Sequence, residues 1–137
     1  MRVNVSEMVG KTFGRIDKSD YELRFHMEDG THYRMYHSQD CCESVYIEDI
    51  VGDLDDLVGS PLVRAEERTS ETFENSDPNA FRDDVYEWTF YEFATIKGSV
   101  TIRWYGESNG YYSTSVDLEH VNPHGVSIVP LKDQANF

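Results

Sequence analysis

Residues 21–27, YELRFHM, alternate without a break: Tyr21, Leu23, Phe25 and Met27 fall on one side, and Glu22, Arg24 and His26 on the other. A period of two is satisfied by an extended strand with one dry face, and by no helix. Glu28-Asp29-Gly30 follows, which fits a three-residue hairpin loop with glycine in the left-handed position. Loop length sets the register. Three residues bring Phe25 opposite Tyr33 and Leu23 opposite Met35, whereas a two-residue loop would set Phe25 against Arg34. The first register keeps one face apolar and is the one expected.

A second aromatic stretch, VYEWTFYEFATI from Val85 to Ile96, is followed by Lys97-Gly98 and the returning segment SVTIRWY. A two-residue turn at Lys97-Gly98 sets Phe93 opposite Ile102 and Tyr91 opposite Trp104. On the other face it sets Glu92 opposite Arg103 and Phe90 opposite Tyr105. Residues 104–113, WYGESNGYYS, then carry Asn109-Gly110, a strong hairpin-tip signal because both residues tolerate positive φ. A third strand carrying Tyr112, Thr114 and Val116 is expected beside Arg103 and Tyr105, giving three consecutive antiparallel strands from Val85 to Val116. Both faces of the Val85–Ile96 strand are aromatic, so each needs cover. With few helix-forming stretches to supply it, a homo-oligomer is expected.

Elsewhere the punctuation is local. Ser6 to Val9 fits one helical turn stopped at Gly10, and Lys11 to Asp17 a first strand. SVYIEDI fits a strand or a short transition. Asp53 to Val58 fits one or two helical turns with acids at the N-terminal end and Gly59 beyond. Ser60-Pro61 restarts an extended segment, PLVRAEERTSET. Phe73 to Asp84, FENSDPNAFRDD, is expected to be a flexible loop, and residues 122–137 an extended arm. Nothing divides residues 1–137 into more than one domain. The fold class expected is mostly β (α+β): a single antiparallel, hairpin-rich sheet with one or two short helices.

Charge narrows the possible partners. With 26 acidic against 12 basic side chains the formal net charge is -14. Such a surface repels phosphate backbones and argues against conventional DNA or RNA binding. A small phosphate-bearing ligand remains compatible where a few arginines converge. Between Met35 and Val63 there is no lysine or arginine, while Asp40, Glu43, Glu48, Asp49, Asp53, Asp55 and Asp56 accumulate. That span is an alternative docking surface for a basic protein, in the manner of a DNA mimic. No run of ~18 apolar residues crosses a membrane, and the start lacks a secretory apolar stretch, so a cytoplasmic location is expected.

His37, Cys41 and Cys42 lie close together, but adjacent cysteines without a second pair do not match structural zinc spacing. A disulfide between neighbours would strain its geometry, so free thiols in a reducing compartment are expected. The acids around Cys41 raise a thiol pKa rather than activate it. A hydrolase on Glu43, Asp49 or Glu107 has no signature spacing, and there is no phosphate loop, dinucleotide fingerprint or serine elbow. No catalytic residue, metal ligand or cofactor is assigned. The remaining candidates are ligand-binding: Arg103, Tyr105 and Tyr112, with Glu107 and Asn109 at the hairpin tip, and a similar kit of Arg34 and Tyr36 in the first hairpin. Arginine with aromatics offers a nucleotide-like ligand a stacking face and a planar phosphate donor. The competing interpretation is a Glu92–Arg103 pair inside an ordinary aromatic core.

Two long phrases, RMYHSQDCCESVYIEDIVGDLDDLVGSP and WTFYEFATIKGSVTIRWYGESNGYYS, resemble a family of small proteins of unknown function encoded in bacteriophage and prophage genomes. The resemblance covers about Val9 to Leu118 and brings no catalytic residue with it. It implies a small accessory protein that interferes with host defence, either by sequestering a nucleotide-type signal or by blocking a host protein.

Overall fold

A computed structural model describes residues 2–74, 84–109 and 113–122. Its eight strands are β1 (Arg15–Lys18), β2 (Glu22–His26), β3 (His32–Tyr36), β4 (Ser44–Val51), β5 (Arg64–Glu74), β6 (Asp84–Thr95), β7 (Gly98–Ser108) and β8 (Asp117–Val121). They form two four-stranded antiparallel sheets, ordered β1-β2-β3-β8 and β4-β7-β6-β5. The expected single sheet is therefore two. Each sheet has an apolar inner face that water would penalise, and each supplies the other's cover.

The inner faces interlock through large side chains. Phe25 of the first sheet meets Phe93 of the second with ring centroids 5.4 Å apart. Trp104 Nε1–H donates to Met35 Sδ across 3.3 Å. Phe13, fully buried, packs at the end of this layer against Phe25 and Tyr33. Each such side chain contributes about 1.5–3 kcal/mol by leaving water, so the interlock outweighs any single surface contact.

The first hairpin has the register that its three-residue loop predicts: Phe25 faces Tyr33 and Leu23 faces Met35. Asp29 Oδ1 accepts from Thr31 N–H at 2.9 Å and from its hydroxyl at 2.7 Å, closing the turn. Gly30 takes φ +92°, which an L side chain rarely adopts.

The second hairpin keeps its predicted faces but slides by two residues. Tyr91 faces Ile102, Phe93 faces Val100 and Thr95 faces Gly98, so the turn is Ile96-Lys97 rather than Lys97-Gly98. A slip of two leaves every side chain on its own face, so local pairing rules cannot separate the two registers. A distant segment decides between them. The Thr95 hydroxyl donates to Asp56 O and accepts from Lys97 N, and a Cβ placed on Gly98 would sit 2.7 Å from Asp56 Oδ2.

The third strand expected after Asn109-Gly110 does not form over the described part of that segment. Residues 113–116 are irregular, and β8 crosses to pair with β3. The free edge of β7 is filled by β4, with Tyr46 opposite Tyr105 and a bulge between Ile47 and Asp49. SVYIEDI is thus a strand. Leu118 in β8 completes the inner face of the first sheet.

The two helical turns are single 3-10 turns. Val5–Met8 is capped by Asn4 and Leu54–Leu57 by Asp53, and they bury Met8 and Leu57. The strand expected from Lys11 begins only at Arg15, because Thr12 and Phe13 are drawn into bridges with Pro61 and Val58. The loop expected from Phe73 to Asp84 loses its ends to β5 and β6, and 75–83 lies outside the described residues, as does the arm beyond Asn122. Among the described residues no helix is long and apolar enough to cross a membrane.

Replacing Phe93, fully buried at the centre of the interlock, with alanine should cost about 3–5 kcal/mol. Urea denaturation measures this, and a loss below about 1 kcal/mol would contradict the packing of the two inner faces.

Candidate functional site

Because β6 alternates, its even-numbered side chains point away from the core. The register then builds two parallel rows across the outer face of the second sheet. One row is Ser70, Trp88, Tyr105 and Tyr46; the next is Arg68, Phe90, Arg103 and Asp49. In the first, Trp88 and Tyr105 are 4.7 Å apart and Tyr46 and Tyr105 5.8 Å, while Tyr86 lies 6.5 Å from Tyr105. These rings are half-buried, chiefly sheltering one another. In the second row two guanidiniums flank Phe90. Arg68 lies 5.8 Å over its ring, and Arg103 sits 5.3 Å over the ring of Trp88.

Arg103 does not meet Glu92. The two-residue slip separates them, and Arg103 instead donates from Nε to Glu48 Oε1 at 2.7 Å, with Asp49 3.8 Å away. Glu92 accepts from Arg64 Nη1 at 3.5 Å. Burial, then the charge of Glu107, then Tyr86 and Tyr46 hold the Tyr105 hydroxyl above the usual phenol range. It therefore stays a donor. Glu107 is exposed on the same face, and Asn109 follows at the end of β7. Tyr112 lies outside the described residues, which leaves Arg103 and Tyr105 of the expected trio. Tyr86, Trp88 and Phe90 are not among the residues expected from sequence, although alternation along β6 puts them on one face. Tyr46 and Glu48 were not assigned, because only the β4–β7 pairing brings them here.

The second kit, Arg34 and Tyr36, is on the outer face of the first sheet, the opposite side of the molecule. The guanidinium carbon of Arg34 is 3.8 Å from the Tyr36 ring centroid. Glu22 Oε1 accepts from Arg34 Nε at 3.2 Å, and the other Glu22 oxygen accepts from Arg24. The two arginine–aromatic kits therefore do not share a pocket.

Between the sheets' edges lies an open cleft of about 710 Å³, lined among others by Lys18, Asp20, Glu48, Asp49 and Asp53. This is where part of the lysine- and arginine-free span reaches the surface.

His37, Cys41 and Cys42 form a latch. His37 Nε2 is 2.7 Å from Glu43 Oε2 and Nδ1 is 2.6 Å from Ser115 O. Both ring nitrogens are thereby engaged with oxygen atoms of the fold. Glu43 also accepts from the backbone N–H of Asp40 at 2.8 Å and of Cys41 at 3.0 Å. Cys41 and Cys42 are joined by a disulfide, against the expectation of free thiols.

Burial pushes the Glu43 carboxyl up, but the Asp40 N–H, the His37 ring and the Cys41 N–H outweigh it and bring the pKa down from 4.5 to about 2. A depressed carboxyl stabilises the fold above its unfolded value and loses that contribution as pH falls through the folded value. Stability should therefore drop between pH 4.5 and about 2, and Glu43→Gln should flatten that part of the profile. Urea midpoints across the interval check this; equal slopes in the two proteins would contradict it.

No curated protein and no solved structure matches the chain. A family model described as a domain of unknown function, DUF7448, matches residues 6–118, from the first 3-10 turn into β8. That match covers both sheets and both outer faces, and the chain belongs to the DUF7448 family.

Proposed function

We propose that the protein captures a small nucleotide-type molecule on the outer face of the second sheet and holds it without turning it over. The observation that carries this reading is the pair of rows described above, in which the rings of Trp88, Tyr105 and Tyr46 lie beside the guanidiniums of Arg103 and Arg68. Two inter-strand spacings make the ring row about 10 Å across, room for a nucleobase to stack. Arg103 and Arg68 lie within reach of a phosphate attached to it. Each stacked base contributes about 1–3 kcal/mol, and a guanidinium adds charge-assisted hydrogen bonds to phosphate oxygens. The face holds no nucleophile activated by a neighbouring base among its described residues, so the reading is capture rather than chemistry.

The face is open, and nucleotide sites are ordinarily concave. A second copy of the chain laid over the rings would close it, which is the homo-oligomer expected from sequence. The resemblance to phage-encoded proteins supports a role in counter-defence in the host cytosol, with removal of an immune nucleotide as the outcome.

A second reading rests on the cleft that holds Asp20, Glu48, Asp49 and Asp53. Its carboxylates suit a basic patch on a host defence protein, an association that would weaken steeply with salt.

Incubating the protein with lysate from infected cells, washing, heating and analysing what is released should recover a nucleotide-type metabolite. Trp88 is half-buried and Trp104 is 1% exposed, so that ligand should quench the fluorescence of the native protein and not of Trp88→Phe. Arg103→Ala should weaken binding about tenfold with the fold retained. An empty release profile from infected and uninfected cells alike, or quenching that survives in Trp88→Phe, would remove this reading. Salt-sensitive capture of a host protein would favour the second.

A further inference from the structure

The outer face of the first sheet sets two arginines and two histidines in facing pairs. On alternate rungs of the β2–β3 ladder, Arg24 stands directly opposite Arg34, and His26 directly opposite His32. Like charges set opposite each other destabilise a sheet. A chain with 26 acidic and 12 basic side chains has little need of such pairs.

The nearby carboxylates are already committed. Asp17 binds Arg15 at 3.2 Å and His26 at 3.0 Å. Asp117 binds Arg2 at 2.6 Å, and Glu119 holds the Tyr36 hydroxyl. Asp17 and Glu119 stand opposite Arg24 and Arg34 on the flanking strands, but with those commitments the carboxylate bonded to both guanidiniums is Glu22. The contacts use Nε of Arg24, and Nε and Nη2 of Arg34. The terminal nitrogens of Arg24 and both ring nitrogens of His32 have no hydrogen-bond partner among the described residues. The side chains of Arg24 and Arg34 are 44% and 33% exposed, so solute reaches them.

We propose that the Arg24–Arg34 pair, with His32 beside it, is a site for a small oxyanion of the phosphate class, free or as an ester. One phosphate placed over the two guanidiniums supplies the acceptor oxygens that Glu22 alone cannot. His32, held below the usual imidazole range by burial and then by the charges of His26 and Arg24, records the positive field there. The net charge of -14 does not cancel that field, since salt screens charges beyond about 8 Å. The site lies on the opposite side of the molecule from the Trp88–Tyr105 face and does not rest on it.

Histidine ring resonances, followed by NMR during titration with inorganic phosphate and separately with a nucleoside monophosphate, test the proposal. Millimolar phosphate should move the His26 and His32 resonances. Arg24→Gln should weaken the response about tenfold, Glu22→Gln should strengthen it by removing the internal competitor, and Arg103→Ala should leave it unchanged. An equal response to the two probes assigns the site to the free anion, and a stronger response to the monophosphate to an ester. Resonances unmoved by both probes would overturn the proposal. So would an Arg24→Gln response equal to the native one, or an Arg103→Ala loss as large as that of Arg24→Gln.

Discussion

The two sheets depend on the contact between their inner faces, Phe25 against Phe93 and Met35 against Trp104. A hairpin by itself is marginal in water. Each sheet here presents an apolar face, and the opposing sheet supplies most of its cover, with Met8, Phe13 and Leu57 closing the ends. Once that interlock forms, the outward face of every strand follows from alternation alone. The Trp88 row and the Arg24–Arg34 pair are thus placed by the packing of residues one position away from them.

Those outer faces differ in what they offer. On the second sheet, rings lie side by side and arginines stand over them, which suits flat, weakly polar surface with a charge at its edge. On the first sheet, Arg24 faces Arg34 and both are bonded to Glu22, with Asp17 and Glu119 across from them on the flanking strands. Both are exceptions within an acidic molecule, and they sit about as far apart as the sandwich allows. The His37–Glu43 latch serves neither. It fastens the 38–43 loop to Ser115, and so ties the segment entering β4 to the segment entering β8, the two strands that complete the sheets.

The strands themselves were legible to different depths. Tyr21–Met27 and its loop gave both element and register, because a one-residue error there would have put Arg34 in the core. The register of β6 and β7 was not determined in this way, since a slip of two costs nothing in pattern. It took Asp56, some forty residues away in sequence, to select it. Arg103 and Tyr105 share a face, as alternation requires, but Arg103 bonds Glu48 rather than Glu92, because Glu48 comes from a strand whose pairing leaves no local trace. Cys41 and Cys42 are joined, where general disulfide geometry points to free thiols.

Alternation of apolar and polar residues, turn chemistry and charge balance are properties of neighbours along the chain, and these the sequence determined by itself: a mostly β protein, a hairpin at Glu28–Gly30, a second one near Lys97 without its register, and an acidic composition. Which strands share a sheet depends on contacts between residues far apart in the chain, and only the tertiary structure decided it. β4 takes the edge of β7 and β8 crosses to β3 because those arrangements bury Val45 and Leu118. Burial is a property of the whole assembly, and no single segment encodes where its cover comes from.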